Sequence, residues 1–233
     1  MEIIKDISTT KTGSNVTART QFLETNTERY AYRRFGNGSH LPLLFLQHFT
    51  GTLDNWDPAV TDPLASGREV ILFDNAGVGR SSGTVPETVA GMAQHTLAFL
   101  EGLGLTSCDV LGFSLGGMVA HFIGRLAQRK EDLEPASGPK VAAAQMAAFR
   151  EWEQFSGERF ANLKGIKTPT LVVNGTHDEM IPVSNSYWLS ENLPNAVLLT
   201  YPDSGHGSLF QFHESFTRHV SAFLASDSPF APY

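Results

Sequence analysis

The sequence predicts an α/β fold, a mostly parallel sheet flanked by helices, with a reduced helical cap. Two observations carry this. Short apolar runs alternate along the chain with segments of helical spacing, and one run, Cys108 to Phe113, leads through a small-residue turn directly into a helix. Thr17 to Leu23 and Tyr30 to Phe35 read as two antiparallel strands, with Gly36, Asn37 and Gly38 marking the turn that follows. Leu43 to Leu46 is wholly apolar and reads as a buried strand. Trp56 to Leu64 reads as a short helix or helical turn, and Glu69 to Phe73 as another buried strand ending at the polar loop Asp74 to Ser82. In Thr84 to Leu103, Val89, Met92, Ala93, Leu97, Phe99 and Leu100 share one helical face, and Gly102 and Gly104 stop the helix.

The strand Cys108 to Phe113 is followed by Ser114, Leu115, Gly116 and Gly117, with a helix beginning at Met118. Ser137 and Pro139 suit the start of a helix reaching about Phe155. Thr170 to Asn174 reads as a strand, Ser184 to Asn192 as a helix and Ala196 to Tyr201 as the last strand. Leu209 to Leu224 reads as a closing amphipathic helix. No internal repeat or low-complexity segment interrupts this order, so 1–233 is expected to be one domain, with a residual cap over about 121–160.

Composition narrows the function. With 233 residues, 41% of them hydrophobic, the chain can bury a substantial core. Its formal net charge of -7, without lysine or arginine runs, argues against a nucleic-acid partner. Cys108 is the single cysteine, so no internal disulfide forms, and a reducing compartment is expected. The stretch Met1 to Thr20 has no signal-peptide pattern, and no apolar run approaches membrane-spanning length. A cytoplasmic protein without a membrane partner is the expectation. The Asn-x-Ser/Thr tripeptides at Asn15, Asn37 and Asn174 then carry no glycosylation signal.

The chemistry concentrates at Gly112-Phe113-Ser114-Leu115-Gly116, a G-x-S-x-G pattern in the strand-to-helix setting that its mechanism requires. The serine must occupy a sharp, strained turn, and glycines on both sides let strand and helix approach closely. Glycine-rich turns of this kind also occur in nucleotide-binding folds. Here, however, no P-loop lysine and no G-x-G-x-x-G follows. A serine hydroxyl is a weak nucleophile at neutral pH and needs an imidazole to take its proton, itself oriented by a carboxylate. His206 and Asp178 suit those roles, with Glu179 the rival acid.

On these residues the chain resembles the α/β-hydrolase family, from roughly Tyr30 to Leu224. Gln47-His48-Phe49-Thr50-Gly51 stands where that family places its oxyanion loop, and Asp74-Asn75-Ala76-Gly77-Val78-Gly79-Arg80-Ser81 is similar to its structural D-x-x-G-x-G-x-S turn. Asn174 to Pro182 resembles the loop that presents the acid, and Ser204-Gly205-His206-Gly207 the one that presents the histidine. The resemblance implies Ser114, Asp178 and His206 as the catalytic residues, with the backbone N–H groups of Phe49 and Leu115 as the oxyanion hole. It implies a small-molecule substrate, no cofactor and no metal. Serine as nucleophile argues against haloalkane dehalogenases and epoxide hydrolases. An ester or lactone hydrolase is the leading expectation. A cofactor-free perhydrolase or haloperoxidase-like enzyme and a catalytically impaired ligand-binding homologue are the alternatives.

His48 and Trp152 are candidate substrate contacts, and Trp56, Met146 and Phe155 weaker ones, since aromatic and methionine residues at helical spacing more often belong to a core. His48 also suits a structural hydrogen bond within its loop. His95, His177, His213 and His219 are expected to be satisfied histidines and not ligands.

One departure from the family pattern stands out. Family members place a further strand after the nucleophile helix, but between Ala120 and Thr170 no apolar, β-branched run is present. Lys130 to Gly138 is charged and turn-like, and His121 to Lys130 reads more like a cap helix than a continuation of the nucleophile helix. A segment is therefore skipped near Ala120. The strands on either side must then become neighbours or leave a gap, to be filled by a helix or by the second subunit of a homodimer. Either outcome can displace Asp178, and the shortened cap predicts a more open site.

Overall fold

The computed structural model describes residues 13–126, 141–154 and 160–226. The strands are β1 (Gln21–Glu24), β2 (Arg29–Phe35), β3 (Leu43–Leu46), β4 (Val70–Phe73), β5 (Asp109–Gly112), β6 (Thr170–Gly175) and β7 (Ala196–Tyr201). The helices are α1 (Pro58–Leu64), α2 (Val89–Gly102), α3 (Leu115–Leu126), α4 (Val141–Glu153), α5 (Ala161–Lys164), α6 (Val183–Asn192), α7 (Ser208–Gln211) and α8 (His213–Ala225). A five-stranded sheet has the order β1-β2-β4-β3-β5, and β6 and β7 form a separate two-stranded sheet. Strands β3, β4 and β5 run parallel, β1 and β2 antiparallel at one edge, and β6 parallel to β7.

The apolar runs are explained by two-sided burial. In β3, Leu43 and Phe45 face a layer made with α1 and α8, while Leu44 and Leu46 face α2, α3 and α4. A strand covered on both faces has no polar side, which is why β3 and β4 are buried along their whole length. On the α1 and α8 face the apolar layer continues beneath both sheets. Leu111 and Phe113 of the β5 end share it with Leu171, Val173, Leu199 and Tyr201. On the opposite face the layers are separate, because Val172 and Leu198 pack with Leu163, Ile166 and Leu193 around α5 and α6.

The expected missing strand corresponds to a break between the sheets. Among the described residues no strand lies between β5 and β6, and the two are not hydrogen-bonded to each other. Asp109 and Phe113 donate their N–H groups to Pro42 and Leu46 in β3 and its approach, so the alternate residues Val110 and Gly112 turn their backbone to the open edge. Thr170 and Thr176 likewise donate toward the β7 side, leaving Leu171 and Val173 to face the opposite way. Only half-burial is seen along β5, unlike β3 and β4.

Several boundaries move from their sequence positions for local reasons. Residues from Ser14 to Thr17 form a hydrogen-bonded turn, so β1 begins only at Gln21. Helix α2 begins at Val89, with Thr88 capping the Gly91 N–H at 2.9 Å, and Thr84 to Glu87 lie outside it. The helix after Ser114 begins at Leu115 and runs unbroken to Leu126, which corrects the reading of His121 onward as a cap helix. Gln128 to Lys130, and the expected helix start at Ser137 and Pro139, lie outside the described residues. The closing helix is broken at Phe212, whose ring stacks on Tyr201 at 5.0 Å. Asn15 and Asn174 are both buried.

The Tyr30 hydroxyl and His95 Nδ1 are 2.7 Å apart, and burial holds the His95 pKa below its ordinary 6.5 despite the opposing effect of Glu28. The unfolded chain therefore binds a proton at His95 at a higher pH than the folded chain does. Stability is full above pH 6.5 and declines as pH falls from there toward the lowered folded value. Thermal melts between pH 8 and about 5 should show this decline flattened in a His95→Gln variant relative to wild type.

Candidate active site

The turn after β5 is built by exclusion of side chains. A Cβ on Gly112 would lie 2.3 Å from the Gly116 carbonyl oxygen, and one on Gly116 would lie 2.0 Å from that of Leu46. Strand β3, strand β5 and the start of α3 thus meet backbone to backbone, and only glycine fits. Ser114, between the two glycines, has a φ of 55°, the left-handed region that a serine seldom occupies. Such a conformation costs on the order of 1 kcal/mol and persists because the surrounding backbone dictates it. The Leu115 N–H opens α3 and has no intrahelical acceptor. The N–H of Phe49, in the loop after β3, likewise has no acceptor among the described residues.

Asp178 and His206 come from the second sheet. Asp178 follows β6, and its side chain is 2% exposed. Its Oδ1 accepts the N–H groups of Met180 and Ile181, each at 2.9 Å, and its Oδ2 accepts from His206 Nδ1 at 2.9 Å. The two loops are tied by the His177 N–H donating to the Ser204 carbonyl, and a Cβ on Gly175 would lie 2.2 Å from that same oxygen. Because an ionised carboxylate only accepts, the proton on this imidazole sits on Nδ1 and leaves Nε2 as a lone-pair acceptor. Nε2 is buried and has no hydrogen-bond partner. The Ser114 hydroxyl is not bonded to it. The neighbouring Phe113 ring packs against the imidazole with centroids 5.2 Å apart. Glu179, the rival acid, is exposed.

The other sequence candidates take different places. His48 donates from Nδ1 to the Phe49 carbonyl at 2.8 Å and sets its ring edge against Phe113. Trp56 is buried between Phe45, Phe113 and Phe210. Trp152 packs at the margin of the α2 and α3 core, Met146 is exposed, and Phe155 lies outside the described residues. His177 is exposed beside Asp203, while His219 Nδ1 lies 3.1 Å from the Tyr201 hydroxyl. The residue that sequence reading passed over is Gln145 of α4, buried and hydrogen-bonded to Thr50 in the loop after β3. A lone polar residue between the fully buried Ala144 and Ala148 was the available signal. A cavity of about 40 Å³ lies between this loop, the first turn of α3 and Gln145. It has room for a few water molecules at most, far less than a substrate needs. Among the described residues no cluster of His, Cys, Asp and Glu is arranged to hold a metal ion, and no helix is long and apolar enough to cross a membrane.

Comparison with known proteins agrees with this architecture. A solved α/β hydrolase fold protein from Chitinophaga pinensis is 35% identical, with a TM-score of 0.81, covering 92% of this chain and all of that one. The chain belongs to the α/β hydrolase fold family. The family model for the α/β hydrolase fold matches residues 42–130, and one described as TAP-like protein matches 137–229. A protein of Pseudomonas savastanoi pv. phaseolicola named carbamate hydrolase RutD is 25% identical over 242 residues, covering 78% of this chain and 93% of the relative. A Mycobacterium tuberculosis protein named non-heme bromoperoxidase BpoC is 24% identical over 251 residues, covering 82% of this chain and 96% of the relative. Both aligned stretches exceed the length of this whole chain, so these α/β hydrolases carry segments without a counterpart here.

The tight turn gives a direct test. Gly116→Ala should lower stability by about 1–3 kcal/mol, the range for overpacking a close contact, since the Leu46 carbonyl cannot retreat without disturbing the β3–β5 ladder. Thermal or urea unfolding of the variant reads this out, and an unchanged melting temperature would refute the close approach.

Proposed function

We propose that this α/β hydrolase cleaves a small-molecule carboxylic ester or lactone through an acyl-Ser114 intermediate. Its family membership supports hydrolase chemistry in general. The observation that carries the finer reading is the His206–Asp178 pair, bonded at 2.9 Å, with a buried and unclaimed lone pair on Nε2. His206 takes the Ser114 proton as the hydroxyl oxygen attacks the acyl carbon, and Asp178 stabilises the imidazolium that forms. The developing oxyanion is met by the N–H groups of Phe49 and Leu115, both without acceptors among the described residues. Collapse of the tetrahedral intermediate expels the alcohol, which takes its proton from His206. Water then attacks the acyl-enzyme with His206 again as base, and the acid leaves with Ser114 regenerated.

The Ser114 hydroxyl and Nε2 need only approach once substrate fills the cleft, since catalytic hydrogen bonds in free enzymes are often loose and tighten in the substrate complex. With α4 the one described helix of the cap region, the reading favours a short, unencumbered substrate reaching an open cleft.

Wild-type protein should react with a fluorophosphonate probe and hydrolyse p-nitrophenyl acetate and butyrate, and Ser114→Ala should do neither. Asp178→Asn should lower kcat by about 10⁴-fold, because the wrong imidazole tautomer then faces the serine. Equal rates for wild type and Ser114→Ala would end the hydrolase reading. The likeness to the protein named bromoperoxidase supports one variation, in which hydrogen peroxide in place of water attacks the acyl-enzyme and releases a peroxyacid. Peroxyacid formation from acetate and peroxide, dependent on Ser114, is its test.

A further inference from the structure

We propose that Gln145, on the remaining cap helix α4, is a positioning residue that aims the Phe49 N–H at the reacting oxygen. This rests on the acyl-serine reading above and adds to it the device that holds one oxyanion donor in place. The Gln145 side-chain oxygen accepts the Thr50 N–H at 2.8 Å. Because a backbone N–H can only donate, this contact fixes which end of the Gln145 amide is oxygen. The side chain lies 95% out of solvent, at 5% exposure, on a face of α4 otherwise lined by Ala144 and Ala148. A polar group buried there without a partner would cost roughly 1–3 kcal/mol, so the Thr50 contact is what makes its position tolerable.

The peptide unit joining Phe49 to Thr50 is pinned at both of its polar atoms. Its oxygen accepts from His48 Nδ1 at 2.8 Å and from Thr50 Oγ1 at 2.7 Å, and its N–H is the group held by Gln145. Thr50 has a φ of 58°, so the loop reverses at a residue in the left-handed region and needs such restraint. One helical turn beyond Gln145, Phe149 packs its ring on that of Phe49 with centroids 5.8 Å apart. Helix α4 therefore grips both the backbone and the side chain of the segment that carries the proposed oxyanion donor. The further brace from Gln47 Nε2 to the Thr52 carbonyl, at 2.6 Å, closes the loop on itself. The 49–50 peptide shares the Phe49 Cα with the unit that carries the Phe49 N–H, so clamping that peptide and the Phe49 ring together limits displacement of the N–H as the segment moves.

The test compares Gln145→Met, which keeps the shape and removes the acceptor, with Gln145→Glu, which keeps an oxygen facing Thr50. With p-nitrophenyl acetate, Gln145→Met should lower kcat about ten- to hundredfold with KM within about twofold, the pattern of a misplaced transition-state contact. Gln145→Glu should retain most of the wild-type kcat. Hydrogen exchange at the Thr50 amide, followed by NMR, should accelerate in Gln145→Met alone. A kcat that survives Gln145→Met, or falls equally in both variants, overturns the positioning role, as does an unchanged Thr50 exchange rate. Should wild type show no Ser114-dependent turnover, the hydrolase reading fails and takes the catalytic role with it, while the exchange measurement still decides whether the clamp exists.

Discussion

The arrangement depends on a single apolar layer that spans two sheets. Ser114 stands at the end of the five-stranded sheet, and Asp178 and His206 at the ends of the two-stranded one, with no backbone ladder between β5 and β6. In an unbroken parallel sheet, hydrogen bonds between neighbouring strands fix relative height and spacing to a fraction of an ångström. Here that task falls to side chains. Phe113 lies edge-on to Phe210 at 5.4 Å, and Trp56 packs against both at 6.4 Å, with the imidazole of His206 resting on Phe113. Beneath them Leu111, Leu171, Val173 and Leu199 share one core with α1 and α8. Aromatic and aliphatic packing of this kind is dense and strongly favourable, yet it specifies distance less sharply than a ladder does.

That difference explains the state of the site. The Asp178–His206 contact is made within one sheet, between two loops tied to each other, and it has full hydrogen-bonding geometry. The contact between His206 and Ser114 that the proposed mechanism requires crosses the break, and Nε2 has no partner among the described residues. A ladder fixes the relative height of its own strands, whereas between the two sheets only side-chain packing does so. On the nucleophile side, the meeting of Gly112 and Gly116 with neighbouring carbonyl groups leaves the turn no freedom. The remaining adjustable coordinate is the approach of one sheet to the other.

Much of this was legible in the sequence, and the limits have physical causes. Two-sided burial makes a strand uniformly apolar, so Leu43–Leu46 could be delimited to the residue, and the half-buried Ala196–Tyr201 was delimited as closely by its mainly apolar run. The turn around Ser114 was legible because a strained backbone admits few residues, and the same demand writes glycine on both sides. The sheet break was visible as the lack of an apolar, β-branched run between Ala120 and Thr170. Helix ends were less legible, since periodicity continues past the point where a cap such as Thr88 or a stacking ring such as Phe212 intervenes. The continuation of α3 to Leu126 was misread because a helix carries no mark of which neighbour it will pack against. Gln145 showed only as a polar residue interrupting an alanine-rich stretch, since its partner is a backbone N–H distant in sequence.

The cap remnant then acquires a different meaning from that of a lid. In an α/β hydrolase with a full cap, the helices above the sheet enclose the substrate. In this chain α4 is sewn into the core through Ala144 and Ala148, and its polar contact is directed at the oxyanion loop. Under the proposed reading, the contact of α4 with the loop after β3 supports the chemistry directly, apart from any part in selecting the substrate. Enclosure and electrostatic preorganisation are separable contributions to catalysis, because the first acts on which molecule enters and the second on charge that appears only in the transition state. Under the proposed mechanism, α4 held against the loop after β3 makes a contribution of the second kind, through the position of a backbone N–H and not through enclosure.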